Sequence, residues 1–117
     1  MSYVSNSGVV ELNRGDSATL DILVNLGTRI EPRIYKMQEN DCVYFGLMEV
    51  NQPFEFAVLK KKLTADKQNE KGIVKIEFNP DDTLCLLPGK YYYQVKLAIQ
   101  PNTVHTIIDK TQFFILE

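Results

Sequence analysis

Few groups in this chain could do covalent or metal chemistry. The single histidine, His105, would need His, Cys or carboxylate neighbours at ligand or relay spacing to hold a metal or serve a nucleophile. It stands just after the turn-forming run Gln100-Pro101-Asn102-Thr103, without such neighbours, and is read as a surface residue. Cys42 and Cys85 have no C-x-x-C partner, so neither a zinc nor a redox site is expected. Asp41, Asp81 and Asp82 could join Glu49 around calcium. No D-x-D-x-D-G loop is present, however, and an Asp before a turn is explained by its bonds to the local backbone. No glycine-rich phosphate loop and no G-x-S-x-G elbow occurs. The expectation is a non-enzyme with no catalytic, cofactor-binding or metal-ligating residues, and no cofactor.

Binding is the remaining chemistry. Arg14-Gly15-Asp16 spells an integrin-binding tripeptide, but Gly-Asp between two strands is ordinary turn chemistry. Lys60, Lys61 and Lys62, followed by Lys67 and Lys71, form the strongest local charge. They could meet an acidic partner or phosphate, or simply solvate a hairpin and discourage edge-to-edge pairing. The nearby aromatics, Phe54 and Phe56, precede these lysines and have core parity, whereas a nucleic-acid surface interleaves the two. Tyr92, Tyr44 and Met48 have outward parity on their strands. They are candidate interface anchors, unless a second sheet or a loop covers them. The candidate interaction residues are thus Tyr92, Tyr44, Met48, Lys60, Lys61 and Lys62.

The elements that must position these groups are strands. The longest follows a corner at Pro88-Gly89, where Pro presets one turn dihedral and Gly supplies a positive φ. Beyond it Tyr91, Tyr93, Val95, Leu97 and Ile99 share one parity, and Tyr92, Gln94, Lys96 and Gln100 the other. That is one face to a core and one to water. Val9, Val10 and Leu12 predict a short first strand, and Ala18 to Val24 a second. Ile30 to Met37 contains Pro32, so any strand there lies at an edge or is broken. Val43, Phe45 and Leu47 alternate with Cys42, Tyr44, Gly46 and Met48 in a strand that can be covered on both faces. Phe54 to Val58 predicts a further strand, Lys60 to Gly72 an exposed loop, and Ile73 to Phe78 a strand. Asn79-Pro80-Asp81-Asp82 predicts a turn. Val104 to Leu116 predicts the last strand, with a bulge near Asp109-Lys110.

At 117 residues the chain makes one domain, 8–117, behind a flexible tail, 1–7. Seven to eight short strands without an amphipathic helix predict an all-β antiparallel sandwich with Greek-key connections, a small barrel being the alternative. A net charge of −2 implies neither nucleic acid nor an anionic membrane as partner. No window reaches the ~20 apolar residues of a membrane span, and no secretory signal opens the sequence. Cytoplasmic synthesis then keeps both cysteines reduced.

A resemblance covers most of the chain. Leu87-Pro88-Gly89-Lys90-Tyr91-Tyr92-Tyr93 is similar to the L-x-P-G-x-x-Y corner of fibronectin type III and other immunoglobulin-like domains. The core-parity tyrosines here are Tyr91 and Tyr93, not the residue three after Gly89. The ordered run of Arg14 to Leu20, Asp41 to Phe45, Gly72 to Ile76, Pro88 to Leu97, Thr106 to Ile108 and Phe113 to Leu116 resembles the N-terminal immunoglobulin-like domain of tailed-phage baseplate upper proteins and related small phage and prophage proteins. That resemblance implies that the sandwich is immunoglobulin-like and that it is a structural module of a virion, in the tail or baseplate, synthesised in the bacterial cytoplasm. Its partners would be other virion proteins, with a homo-oligomer in the particle and no small-molecule ligand. In that family a larger fibre-bearing protein continues from the domain, whereas this sequence stops at Glu117. The contacts would be strand addition at a sheet edge or burial of a Tyr/Met patch. The alternative is a carbohydrate-binding or adhesin module, which needs aromatics beside Asp, Asn or Gln; the lack of Trp counts against it.

Overall fold

The structure, a computed structural model, describes residues 3–4, 8–28 and 30–117. Eight strands run through them: β1 (Tyr3–Val4), β2 (Val10–Asn13), β3 (Ala18–Leu23), β4 (Cys42–Glu49), β5 (Leu59–Thr64), β6 (Ile73–Phe78), β7 (Gly89–Ile99) and β8 (Thr103–Leu116). One short helix, α1 (Pro80–Leu84), precedes the corner, and single 3-10 turns cover Phe54–Phe56 and Ala65–Lys67. The protein is all-β, as expected. The strands form an open six-stranded sheet, β1-β2-β8-β7-β4-β5, and a two-stranded sheet, β3-β6.

The period of 2 builds the core. On β7 the odd-numbered Tyr91, Tyr93, Val95 and Leu97 are buried and the even positions between them are half-exposed. On β6 Val74, Ile76 and Phe78 are buried between exposed Lys75 and Glu77. The inward residues of both sheets join in one core. At its centre the Phe45 ring stacks on Tyr93 at 5.7 Å and meets Phe78 edge-on at 5.4 Å. Phe113 closes the group at 5.8 Å from Phe78 and 6.0 Å from Tyr93. Each such pair adds about 1 kcal/mol beyond the area it buries.

Both buried phenols find carbonyl partners, one local and one distant in sequence. The Tyr91 hydroxyl donates to the Leu87 carbonyl at 2.6 Å, across the Pro88-Gly89 corner. The Tyr93 hydroxyl donates to the Gly8 carbonyl at 2.7 Å. Burial pushes both phenols above the ordinary tyrosine value, with the Glu49 carboxylate adding to the effect at Tyr91. The Arg14-Gly15-Asp16 turn is held by the rest of the fold. Gly15 has φ +85°, its N–H donates to the buried Thr83 hydroxyl at 2.8 Å, and Arg14 pairs with Glu117 at 3.2 Å.

Several expectations are corrected. The sheet is mixed, not antiparallel: β2 runs parallel to β8, with Val10 opposite Phe113 and Asn13 opposite Leu116. Phe54–Phe56 is a 3-10 turn rather than a strand, because Pro53 and the short span to β5 force the chain to double back. Phe56 is consequently 69% exposed. Lys60 to Thr64 is not loop but most of β5, whose burial alternates with Leu59, Lys61 and Leu63 inward. Asn79-Pro80-Asp81-Asp82 is a helix start rather than a simple turn. Pro occupies the first helical turn and the Asp82 carboxylate accepts from the Asn79 N–H at 2.7 Å, the reciprocal half of a capping box. The 30–37 segment contributes only an isolated bridge, Asn25 to Ile34, as its proline implies.

The bulge expected in the last strand is present. The β7–β8 register slips between Tyr93 and Val95, which places an extra residue of β8 at Asp109-Lys110, and slips again between Val95 and Lys96. Within the expected tail, Tyr3–Val4 pairs with Val10 and Glu11; the remainder of 1–7 lies outside the described residues.

Two substitutions separate packing from pinning. Phe45→Ala should lower stability by about 3–5 kcal/mol, whereas Tyr91→Phe, which keeps the ring and loses the corner bond, should cost about 1 kcal/mol. Urea denaturation with a common slope checks both; a Tyr91→Phe loss as large as that of Phe45→Ala would show that the corner, not the ring cluster, carries the fold.

Candidate interaction surface

The even-numbered residues of β4 and β7 and their neighbours on β5 make the outer face of the large sheet. Register places Tyr44 directly opposite Lys62 on one side and Lys96 on the other. Gly46 lies opposite Lys60 and Gln94, and Met48 opposite Tyr92. Adjacent strands are about 4.8 Å apart, so Lys62 and Lys96 flank the Tyr44 ring. The Lys62 ammonium stands 5.9 Å from that ring's centre.

A second aromatic comes from outside the sheet. The Phe54 ring lies over Gly46, so close that a Cβ there would sit 2.5 Å from a ring carbon. The Lys96 ammonium stands 5.0 Å above the Phe54 ring. Lys60 donates to the Glu55 carbonyl at 3.1 Å and ties the 3-10 turn to β5. Further along β7, Lys90 stands 5.5 Å from the centre of the Tyr92 ring. Cations and aromatics therefore do interleave on this face, in space rather than along the sequence. Gln94 donates to Asp109 at 2.9 Å, and the Lys110 N–H and then Gln94 hold that carboxyl below its ordinary value.

Of the candidate residues, Tyr44, Tyr92, Lys60 and Lys62 lie on this face. Met48 does not serve as an exposed anchor: it is fully buried yet outside the main core, on the side of β4 that the Phe54–Phe56 turn covers. Lys61 has the opposite parity. Its ammonium reaches Asp82 of α1 at 2.7 Å, so it braces the helix against β5. The sequence concealed Phe54, whose outward role depends on a cavity above a glycine on another strand. Lys96 was legible from parity alone.

At the Cys42 end of β4 the face opens into a cleft of about 870 Å³, lined by Tyr44 and Lys62, by Asn40 and Gln100, and by Asp41 and Asp66. Asn40, at φ +77°, turns the chain so that Asp41 enters the protein, 2% exposed. The Asp41 carboxylate accepts from the Tyr35 hydroxyl at 2.6 Å, the Gln38 N–H at 2.8 Å and the Gln100 N–H at 3.3 Å. It joins the segment before β4 to the β7–β8 hairpin. Burial alone would raise its pKa, but these bonds outweigh it and the carboxyl lies below its ordinary value. The same bond, with burial, pushes the Tyr35 phenol up to about 12. The Thr64 hydroxyl bonds Asp66 at the rim and lowers that carboxyl too.

The remaining candidates are dispersed. Asp41 and Glu49 stand at opposite ends of β4, about 25 Å apart along the strand, and Asp82 is engaged with Lys61 and Asn79. His105 is exposed on β8 opposite Leu97. Cys42 is buried and Cys85 exposed, both as free thiols. Among the described residues no three His, Cys, Asp or Glu side chains converge on a metal-sized site, and no helix is long and apolar enough to cross a membrane. Comparison with family models and with curated proteins finds no match for the chain.

Asp41→Asn should destabilise the protein by about 2 kcal/mol at neutral pH, since it weakens a buried acceptor that serves three donors. The folded-state pKa is depressed, so the ionised carboxylate stabilises above its ordinary value of 3.8 and loses that effect as pH falls through the folded value. The gap in unfolding free energy between wild type and variant should therefore be constant above pH 5 or so and close below ~3.8. Urea titrations across that range check it; a gap that persists into acid would mean that shape, not charge, carries the contact.

Proposed function

We propose that this chain is an immunoglobulin-like module that acts as a non-enzymatic structural component of a phage or prophage virion, in the tail or baseplate, through protein–protein contacts. Strand order carries the reading. An immunoglobulin sandwich pairs its second and fifth strands in one sheet and its third, sixth and seventh in the other. Taking β3 and β6 as the first pair and β4, β7 and β8 as the second set reproduces that plan, with β5 beside β4 and β2 running along β8. The hydroxyl bond from Tyr91 back to Leu87 supports it, since such a corner opens the sixth strand of these domains. Two residues on, where many immunoglobulin domains place a cystine half, stands Tyr93, stacked on Phe45.

The sequence runs that resemble the baseplate family fall on the turn before β3 and on β3, β4, β6, β7 and β8. The outer face supplies what a contact surface needs. It presents half-exposed Tyr44 and Tyr92, each beside a lysine, on paired strands of the large sheet.

A second reading has its own observation. The cleft beside Tyr44 sets an aromatic ring next to Asn40, Asp66 and Gln100, the combination that stacks on and hydrogen-bonds a sugar ring. Saturation-transfer NMR with bacterial cell-wall oligosaccharides tests it. Contacts abolished by Tyr44→Ala and unaffected by Tyr92→Ala would favour a carbohydrate module.

Quantitative mass spectrometry of purified particles from induced cells tests the main proposal. The expected result is a fixed integer ratio of this chain to the tail-tube or hub protein, with Tyr44→Ala/Tyr92→Ala lowering incorporation several-fold. Absence from particles while the chain is abundant in the lysate would sink the virion reading.

A further inference from the structure

We infer that the open edge of β5, with the groove beside it, receives an extended acidic segment of a partner protein as an added strand. The inference rests on the reading that this domain works by protein–protein contact. β5 ends the large sheet: β4 pairs with it on one side, and no described strand is hydrogen-bonded to it on the other, where β6 of the small sheet stands across a groove. A strand in that position presents backbone N–H and C=O groups to an incoming chain.

Between β5 and β6 runs a groove of about 260 Å³. Leu63 and Ile76 give it an apolar base, both belonging to or packed on the core. Lys61, Lys62, Lys67 and Lys75 line it, with Glu77 the only carboxylate in the lining. Two of these cations are paired with carboxylates of the domain, Lys61 with Asp82 at 2.7 Å and Lys75 with Asp21 at 3.5 Å, and Lys62 stands 5.9 Å from the centre of the Tyr44 ring. Lys62 and Lys60 project on the outer side of β5 and are exposed.

Charge selects the occupant. A second copy adding β5 to β5 would bring lysines opposite lysines, which cross-strand pairing penalises. An acidic strand turns the same positions into attractive pairs. The period of 2 then fixes its pattern. Residues opposite Lys60 and Lys62 lie on the outer face and are acidic. Residues opposite Leu59 and Leu63 point into the groove and are apolar. The residue opposite Lys61 is not required to be acidic, because Asp82 already neutralises that ammonium.

Backbone hydrogen exchange of the full chain tests this. The probes are a soluble peptide containing Val-Glu-Thr-Glu-Val, one of the same composition with both glutamates at one end, and one with lysines for the glutamates. Only the first should slow exchange within Leu59–Thr64, by about tenfold or more at saturating peptide. The slowing should weaken in molar salt and vanish in Lys60→Glu/Lys62→Glu, a surface change whose folded state thermal unfolding verifies. No slowing in β5 at millimolar peptide, equal slowing by the control peptides, or full slowing in the double variant would each overturn the inference. Fixed stoichiometry in particles with no slowing at β5 retires the groove and leaves the virion reading intact. Slowing at β5 in a chain absent from particles does the reverse.

Discussion

The contact between the two sheets at Phe45, Phe78, Tyr93 and Phe113 is the constraint on which the rest depends. One ring comes from the small sheet and three from the large one, and together they set where β3-β6 lies on the larger sheet. Neither Cys42 nor Cys85 is bonded, so no disulfide joins the layers and the ring contact carries that role. The buried hydroxyls serve that packing without interrupting it. Tyr91 and Tyr93 send their polar ends to carbonyls at the rim, leaving only ring surface in the core.

Around this centre, single polar side chains fasten the loops. Gln68 accepts from the Met37 N–H and donates to the Tyr35 and Gly72 carbonyls, tying the 35–37 segment to the β5–β6 connection. Asp41 joins that segment to the β7–β8 hairpin, and Asp82 ties α1 to β5. Gln68 and Asp41 replace secondary structure that their segments lack, because backbone groups near the core must find partners. The lysines of the outer face are positioned by strand register rather than by loop conformation.

How much of this the sequence discloses depends on whether the cause is local. The alternation in β6 and β7 and the turn chemistry of Pro88-Gly89 are local, and the strands and the corner result from them. The pairing of β2 with β8 is not: Val10 and Leu12 alternate in the same way for either direction of the neighbour. In β5 the inward Leu59 and Leu63 are outweighed to the eye by three consecutive lysines. Asn79-Pro80-Asp81-Asp82 satisfies the rules for a turn and for a helix start alike, and tertiary contacts such as the Thr83 bond to Gly15 and the Asp82 pair with Lys61 favour the helix. Phe54 carries a hydrophobic signal that parity assigns to the core, yet it caps Gly46 on the opposite side of the sheet. Among the site residues, Tyr44, Tyr92, Lys60 and Lys62 are legible from parity. The burial of Met48 and the diversion of Lys61 to Asp82 require the fold.

The parallel pairing of β2 with β8 bears on how the domain would respond to a pull on its ends. A pull that draws the chain backward from Val10 and forward from Leu116 acts along both strands in opposite directions. The hydrogen bonds joining Val10–Asn13 to Phe113–Leu116 are then sheared together rather than opened one after another. An antiparallel pair, pulled at adjoining ends, would unzip in sequence. Under such a pull the four-residue strand β2 would yield only when the bonds along its whole length give way together.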